Sequence, residues 1–121
     1  MHIALDYDNT YTADRNTFKA IIRCFQSSGH KVTCVTLRNG VEDWHEDFKE
    51  LKEKYDVDTV FCDGQSKREI TEKHGIKINI WIDDWPEGIS IGSQYTPLQL
   101  LSWRQDQIEN GGITPKSENP E

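Results

Sequence analysis

Basic residues are scarce in this 121-residue chain: 14 Lys and Arg stand against 21 Asp and Glu, for a net charge of −7. That balance argues against a protein that grips nucleic acid through a broad basic face, because such binding rests on neutralising many phosphates. A localised basic spot or a metal ion can still attract an anionic substrate. Long apolar runs are missing as well, and nothing approaches the roughly 20 residues that span a bilayer. The opening Met1-His2-Ile3-Ala4-Leu5-Asp6 reaches an acidic residue too early for a signal peptide. Only three cysteines are present, Cys24, Cys34 and Cys62; they cannot all pair and have no metal-type spacing. Cys34 and Cys62 fall in strand-like runs and read as small buried hydrophobes. The expectation is a soluble, cytoplasmic protein of a reducing compartment with no membrane partner.

What is there alternates. Residues 2–6 (HIALD), 31–37 (KVTCVTL), 59–62 (TVFC) and 78–83 (INIWID) are short runs rich in β-branched and apolar residues, and they read as four strands. Between them the apolar spacing turns helical. Phe18, Ile21, Ile22 and Phe25 form one stripe, closed by Gly29. Val41, Trp44, Phe48, Leu51 and Tyr55 form a longer one, which Asn39 and Glu42 are spaced to open as a capping box. Ser66 and Glu69 repeat that spacing before a short helix over 67–74. A last helix is expected over 96–107, and residues 89–91 (ISI) offer a thin fifth strand. One domain over 1–110 with a frayed tail over 111–121 fits the length, at about 100–200 residues per domain. Strand–helix alternation means a mostly parallel sheet covered on both faces. Ligands of such sheets bind beyond the carboxyl ends of the strands.

Those ends carry the chemistry. The first strand runs into Asp6-Tyr7-Asp8-Asn9-Thr10 and the second into Thr36-Leu37-Arg38-Asn39-Gly40. The third is followed by Asp63-Gly64-Gln65-Ser66-Lys67, and the fourth ends in Asp83-Asp84-Trp85-Pro86. Clustered aspartates repel, and the repulsion is relieved by a proton or a cation. Oxygen ligands without Cys or His suit Mg²⁺, which takes one or two carboxylates, waters and a substrate phosphate. A lysine and a hydroxyl beside that metal supply charge and a donor for phosphate oxygens. A carboxylate facing a phosphate can attack phosphorus, and a second one can serve as general acid and base.

Each residue also has a plainer reading. Asp8-Asn9 alone is an Asx turn, Thr36 alone a β-branched strand residue, and Trp85-Pro86 a strand end that packs a loop. Lys67 as a solvated first-turn residue would sit badly against the helix dipole, which favours a phosphate partner. Arg38 is placed either to clamp a substrate phosphate or to pair with Asp63. The four histidines are scattered and read as surface or satisfied side chains.

Asp-x-Asp-x-Thr after the first strand, Thr after the second, Lys opening a later helix and Asp-Asp after the fourth, in that order, resemble the haloacid dehalogenase superfamily over residues 1–90. The resemblance implies a Rossmann-like three-layer α/β sandwich and Mg²⁺-dependent phosphomonoester hydrolysis through an aspartyl-phosphate. It makes Asp6 the nucleophile, Asp8 the general acid and base, and Lys67 and Thr36 the phosphate partners. Asn9, Thr10 and Arg38 complete the substrate side. The metal would be held by Asp6, the backbone carbonyl of Asp8 and Asp83, with Asp84 as a further ligand or water-shell partner. Only residues 11–15 follow the first motif before the first helix, and only 63–66 precede Lys67, so neither gap holds a cap domain. A capless member suits a macromolecular phosphate or a lid borrowed from a partner subunit. A nucleotide or nucleic-acid terminal phosphate is the first expectation for the substrate, with a phosphoprotein or sugar phosphate close behind. Two other classes remain: a phosphoacceptor receiver-like signalling module that holds its acyl phosphate, and an inactive binding module on the same fold.

Overall fold

The computed structural model describes residues 1–93. Its strands are β1 (His2–Leu5), β2 (Lys31–Thr36), β3 (Thr59–Phe61) and β4 (Ile80–Ile82), all parallel, in one sheet of order β3-β2-β1-β4. The helices are α1 (Arg15–Ser27), α2 (Glu46–Tyr55), α3 (Lys67–Lys73) and α4 (Glu87–Ile91), with a single 3-10 turn at Tyr11–Ala13. Parallel neighbours need a crossover, and a helix in each connection supplies it. The result is a Rossmann-like α/β sandwich without a cap.

Side-chain alternation along the strands builds two cores, one on each face of the sheet. Ile3 and Leu5 of β1 and Val32 and Cys34 of β2 point to one face, where they meet Ile22 of α1 and Phe48 and Leu51 of α2. Ala4, Val35 and Val60 point to the other and meet Ile70 of α3. Cys34 and Cys62 are buried as expected, and Cys24 is exposed. Helix α1 starts where Asp14 accepts the Thr17 N–H at 3.1 Å. It stops where Gly29, at φ 83°, lets the His30 N–H return to the Phe25 carbonyl at 3.0 Å. Ser66 caps α3 through the Glu69 N–H at 3.3 Å, as its spacing foretold.

Two expectations are corrected. Helix α2 begins at Glu46, not near Asn39, so Val41 and Trp44 lie outside its apolar stripe and are 88% and 47% exposed. Asn39 does cap, taking the N–H groups of Val41 and Glu42 at 2.7 and 3.1 Å, but the turn goes no further. The Asp43 carbonyl, which a continuing helix would offer to the Asp47 N–H, is taken by Arg38 at 2.7 Å. The Asp47 N–H goes instead to the His45 ring at 3.0 Å, which becomes the cap. Residues 89–91 form no fifth strand; they finish helix α4. Ile89 is buried and its carbonyl accepts the Ser66 hydroxyl at 2.8 Å, which closes α4 over the loop before α3. Gly92 completes that closure: at φ 62°, any Cβ there would come within 2.5 Å of the Gly64 carbonyl oxygen.

The expected helix over 96–107 and the tail over 111–121 lie outside the described residues. Among the described residues no helix is long and apolar enough to cross a membrane.

Candidate functional site

Strand register brings the first and last motifs together. Leu5 of β1 pairs with Ile82 of β4, so the next residues, Asp6 and Asp83, leave the sheet side by side. The Asp6 N–H extends the ladder to the Ile82 carbonyl at 2.9 Å. Adjacent residues of a parallel pair face the same way, which turns a spacing of 77 residues in sequence into two neighbouring carboxylates. Lys67 enters from the start of α3 and sits between them. Its Nζ donates to Asp6 Oδ1 at 2.7 Å and to Asp83 Oδ2 at 2.6 Å, and all three side chains are almost fully buried.

Thr10 and Asp84 complete this inner group. The Thr10 hydroxyl donates to Asp6 Oδ2 at 2.9 Å and accepts the Asp84 N–H at 3.2 Å. One carboxylate oxygen each from Asp6, Asp83 and Asp84 lies within 4.8 Å of the other two. A compact set of hard oxygen donors fits a divalent cation such as Mg²⁺. Burial pushes the Asp6 carboxyl up to about 7, helped by its hydrogen bond with Asp84 and the charge of Asp83, while Lys67 works against the rise. Lys67 moves up as well: burial pulls it down, but Asp6 and Asp83 outweigh that.

A cavity of about 170 Å³ opens above the cluster, lined by Asp6, Asp8, Lys67, Asp83, Asp84 and Trp85 among others. Asn9 also reaches this lining, on a turn that holds it at φ 62°. Thr36 does not. It is buried at the end of β2, where its Oγ1 accepts the Arg38 N–H at 3.2 Å, and Leu37 lines the cavity instead.

The Arg38 side chain does not pair with Asp63, although the Arg38 carbonyl accepts the Asp63 N–H at 3.2 Å. Asp63 accepts from the Asn39 amide at 3.2 Å, and Arg38 turns to Asp8, with Nε and Nη2 at 2.9 and 2.8 Å from its two oxygens. The Asp8 carboxylate lines the same cavity but is not one of the three acids whose oxygens gather within 4.8 Å.

Sequence reasoning passed over Tyr7. It is buried on the α1–α2 face, its hydroxyl donates to Asp47 at 2.6 Å, and its ring lies 4.9 Å from the Arg38 guanidinium carbon. The alternation Asp6-Tyr7-Asp8 was the available signal, since it points Tyr7 away from its neighbours and into the core. Trp85, read as a packing residue, both packs and lines the cavity. A Cβ on Gly88 would come within 2.6 Å of its indole.

Compared with family models, with curated proteins and with solved structures, the chain finds no match.

Proposed function

We propose that this protein is a Mg²⁺-dependent phosphomonoester hydrolase that works through an aspartyl-phosphate on Asp6, as a small capless relative of the haloacid dehalogenase superfamily. The observation that carries the reading is the inner cluster: Lys67 bridging Asp6 and Asp83, with Asp84 beside them, under a small open cavity at the carboxyl ends of parallel strands. Structural ion pairs seldom gather three carboxylates and one buried lysine beneath a solvent-open hollow, because each added acid costs desolvation and repulsion.

Asp6, Asp83 and Asp84 would hold the Mg²⁺, which supplies positive charge against the phosphoryl oxygens when bound. Asp6 attacks phosphorus through a carboxylate oxygen, and the bond from phosphorus to the ester oxygen breaks. The departing oxygen takes a proton from the Asp8 carboxyl. Lys67 keeps Asp6 oriented and offsets charge on the group being transferred. In the second half, Asp8 takes a proton from water as the water oxygen attacks the phosphorus on Asp6. Inorganic phosphate leaves and both carboxyl groups return to their starting states.

The cavity holds a phosphoryl group and the first atoms attached to it, so the body of the substrate lies outside, past Trp85 and Leu37. A terminal phosphate on a nucleotide or nucleic acid suits that arrangement. Hydrolysis of p-nitrophenyl phosphate with and without Mg²⁺, in wild type and Asp6→Asn, tests the reading. Metal-dependent turnover that disappears in the variant supports it. A wild type that accumulates a stable, acid-labile phosphoprotein belongs instead with signalling receivers, and a wild type that does neither is not a hydrolase of this kind.

A further inference from the structure

The Arg38 side chain is gripped on three sides. Its Nε and Nη2 form a two-pronged pair with Asp8 at 2.9 and 2.8 Å, and its Nη1 donates to the Asp43 carbonyl at 2.7 Å. Its face rests on Tyr7, 4.9 Å from the ring centroid. Tyr7 is itself immobilised: it is buried, and its hydroxyl shares Asp47 Oδ2 with Arg15, whose Nε and Nη2 stand 3.0 and 2.8 Å away. The base of the side chain is tied as well, through the Arg38 N–H to Thr36.

An arginine that served the phosphoryl group would present its fork to the cavity. Here both prongs are spent on Asp8 and the remaining nitrogen on a backbone carbonyl. Asp8 lines the cavity and Arg38 does not. Asp8 also needs such a support. Its side chain is 47% exposed, whereas Asp6 at 8% is fixed by Lys67 and Thr10. A half-exposed aspartate leaving a turn samples several rotamers, and proton transfer demands one of them.

We infer that Arg38 is the positioning residue of Asp8: it holds that carboxyl group at the solvent side of the cavity for proton transfer to the departing oxygen, and it does not bind the phosphoryl group. The inference rests on the hydrolase reading and adds to it a residue that acts only through another. Arg15, Asp47 and Tyr7 form the footing of the same support.

The test compares two esters of similar size, p-nitrophenyl phosphate and phenyl phosphate, with Mg²⁺ present. Phenolate is the poorer leaving group and depends more on a delivered proton. In Arg38→Ala, kcat/KM for phenyl phosphate is expected to fall roughly 10- to 100-fold, in line with the cost of misplacing a catalytic group. The fall for p-nitrophenyl phosphate is expected to be several-fold smaller. The inhibition constant of inorganic phosphate should stay within about twofold, because no contact to the phosphoryl group is lost. Arg38→Lys should recover part of the loss; it also carries the test if the alanine variant fails to fold. In an Asp8→Asn background, Arg38→Ala should add no further loss.

Four results overturn the assignment: a weakened phosphate inhibition constant with kcat unchanged, an equal loss on both esters, a rise in kcat, or no change at all. The first makes Arg38 a phosphate ligand, and the third makes it a latch that holds Asp8 away from its work. A wild type without Mg²⁺-dependent turnover of either ester fails at an earlier point. It removes the hydrolase reading and the role of Arg38 with it, whereas an active wild type indifferent to Arg38 removes only the latter.

Discussion

Asp6 and Asp8 leave the same strand two residues apart and end in opposite surroundings. Asp6 lies in the inner half of the site, buried at the floor of the cavity beside Lys67, Thr10, Asp83 and Asp84. Asp8 lies in the outer half, half-exposed and paired with an arginine that leans on a tyrosine. The contrast shows how one short motif supplies two kinds of carboxyl group. The inner one is defined by desolvation and close charge, and the outer one by a mechanical hold in contact with solvent.

On that division, the largest effect comes from the inner half. Asp6→Asn should lower Mg²⁺-dependent turnover by roughly 10⁴-fold or more, the scale of removing a nucleophile. Its thermal melt should stay cooperative, because an amide fills the same space. Lys67→Met comes next. It leaves Asp6 and Asp83 face to face without their shared cation, and the expected loss of stability is about 3–5 kcal/mol, read from denaturant unfolding. A variant that loses less than about 1 kcal/mol would mean that the inner cluster is wetter and more compliant than its burial indicates.

The pH dependence of stability separates the two halves next. Asp6 in the folded protein rises to about 7 from an ordinary 3.8, so the unfolded chain releases its proton first as pH increases. The Asp6 contribution is therefore greatest below about pH 4 and is lost as pH climbs through 7. Asp47 runs the other way. Burial pushes its carboxyl up, but Arg15 and the Tyr7 hydroxyl outweigh that and hold it below the usual range, so its contribution is lost as acid protonates it. The difference in stability between wild type and Asp6→Asn, measured from pH 4 to 8 without divalent cations, should shift steadily in favour of the variant. A flat difference would place Asp6 in contact with solvent. The smallest effect is expected at Trp44→Ser, which should change stability by less than about 0.5 kcal/mol and leave kcat alone. A large loss there would restore Trp44 to the core, against its exposure.

Much of this arrangement was legible from local pattern. The four strand runs, the caps at Ser66 and Gly29 and the burial of Cys34 and Cys62 follow from short-range rules about periodicity and turn chemistry. The acids, lysine and hydroxyl at the strand ends were legible for the same reason: a parallel sheet puts all its carboxyl ends on one edge. The misreadings arose where a second contact won. Val41 and Trp44 fit a helical stripe, and Asn39 fits a cap, but Arg38, five residues before Asp43, captured the carbonyl that the helix needed. Residues 89–91 fit a strand, but they finish a short helix whose Ile89 carbonyl is tied to Ser66, 23 residues earlier.

The amino-acid sequence by itself determined which elements form and which functional groups each one carries to its end, because those depend on neighbours within a turn or two of the chain. Only the tertiary structure decided who meets whom. Strand register set Asp83 beside Asp6, the entry of α3 set Lys67 between them, and the close approach of the first two strand ends gave the Arg38 guanidinium to Asp8 instead of to Asp63. These partners lie 16 to 77 residues apart in sequence, and no local spacing encodes a contact that exists only once the sheet has closed.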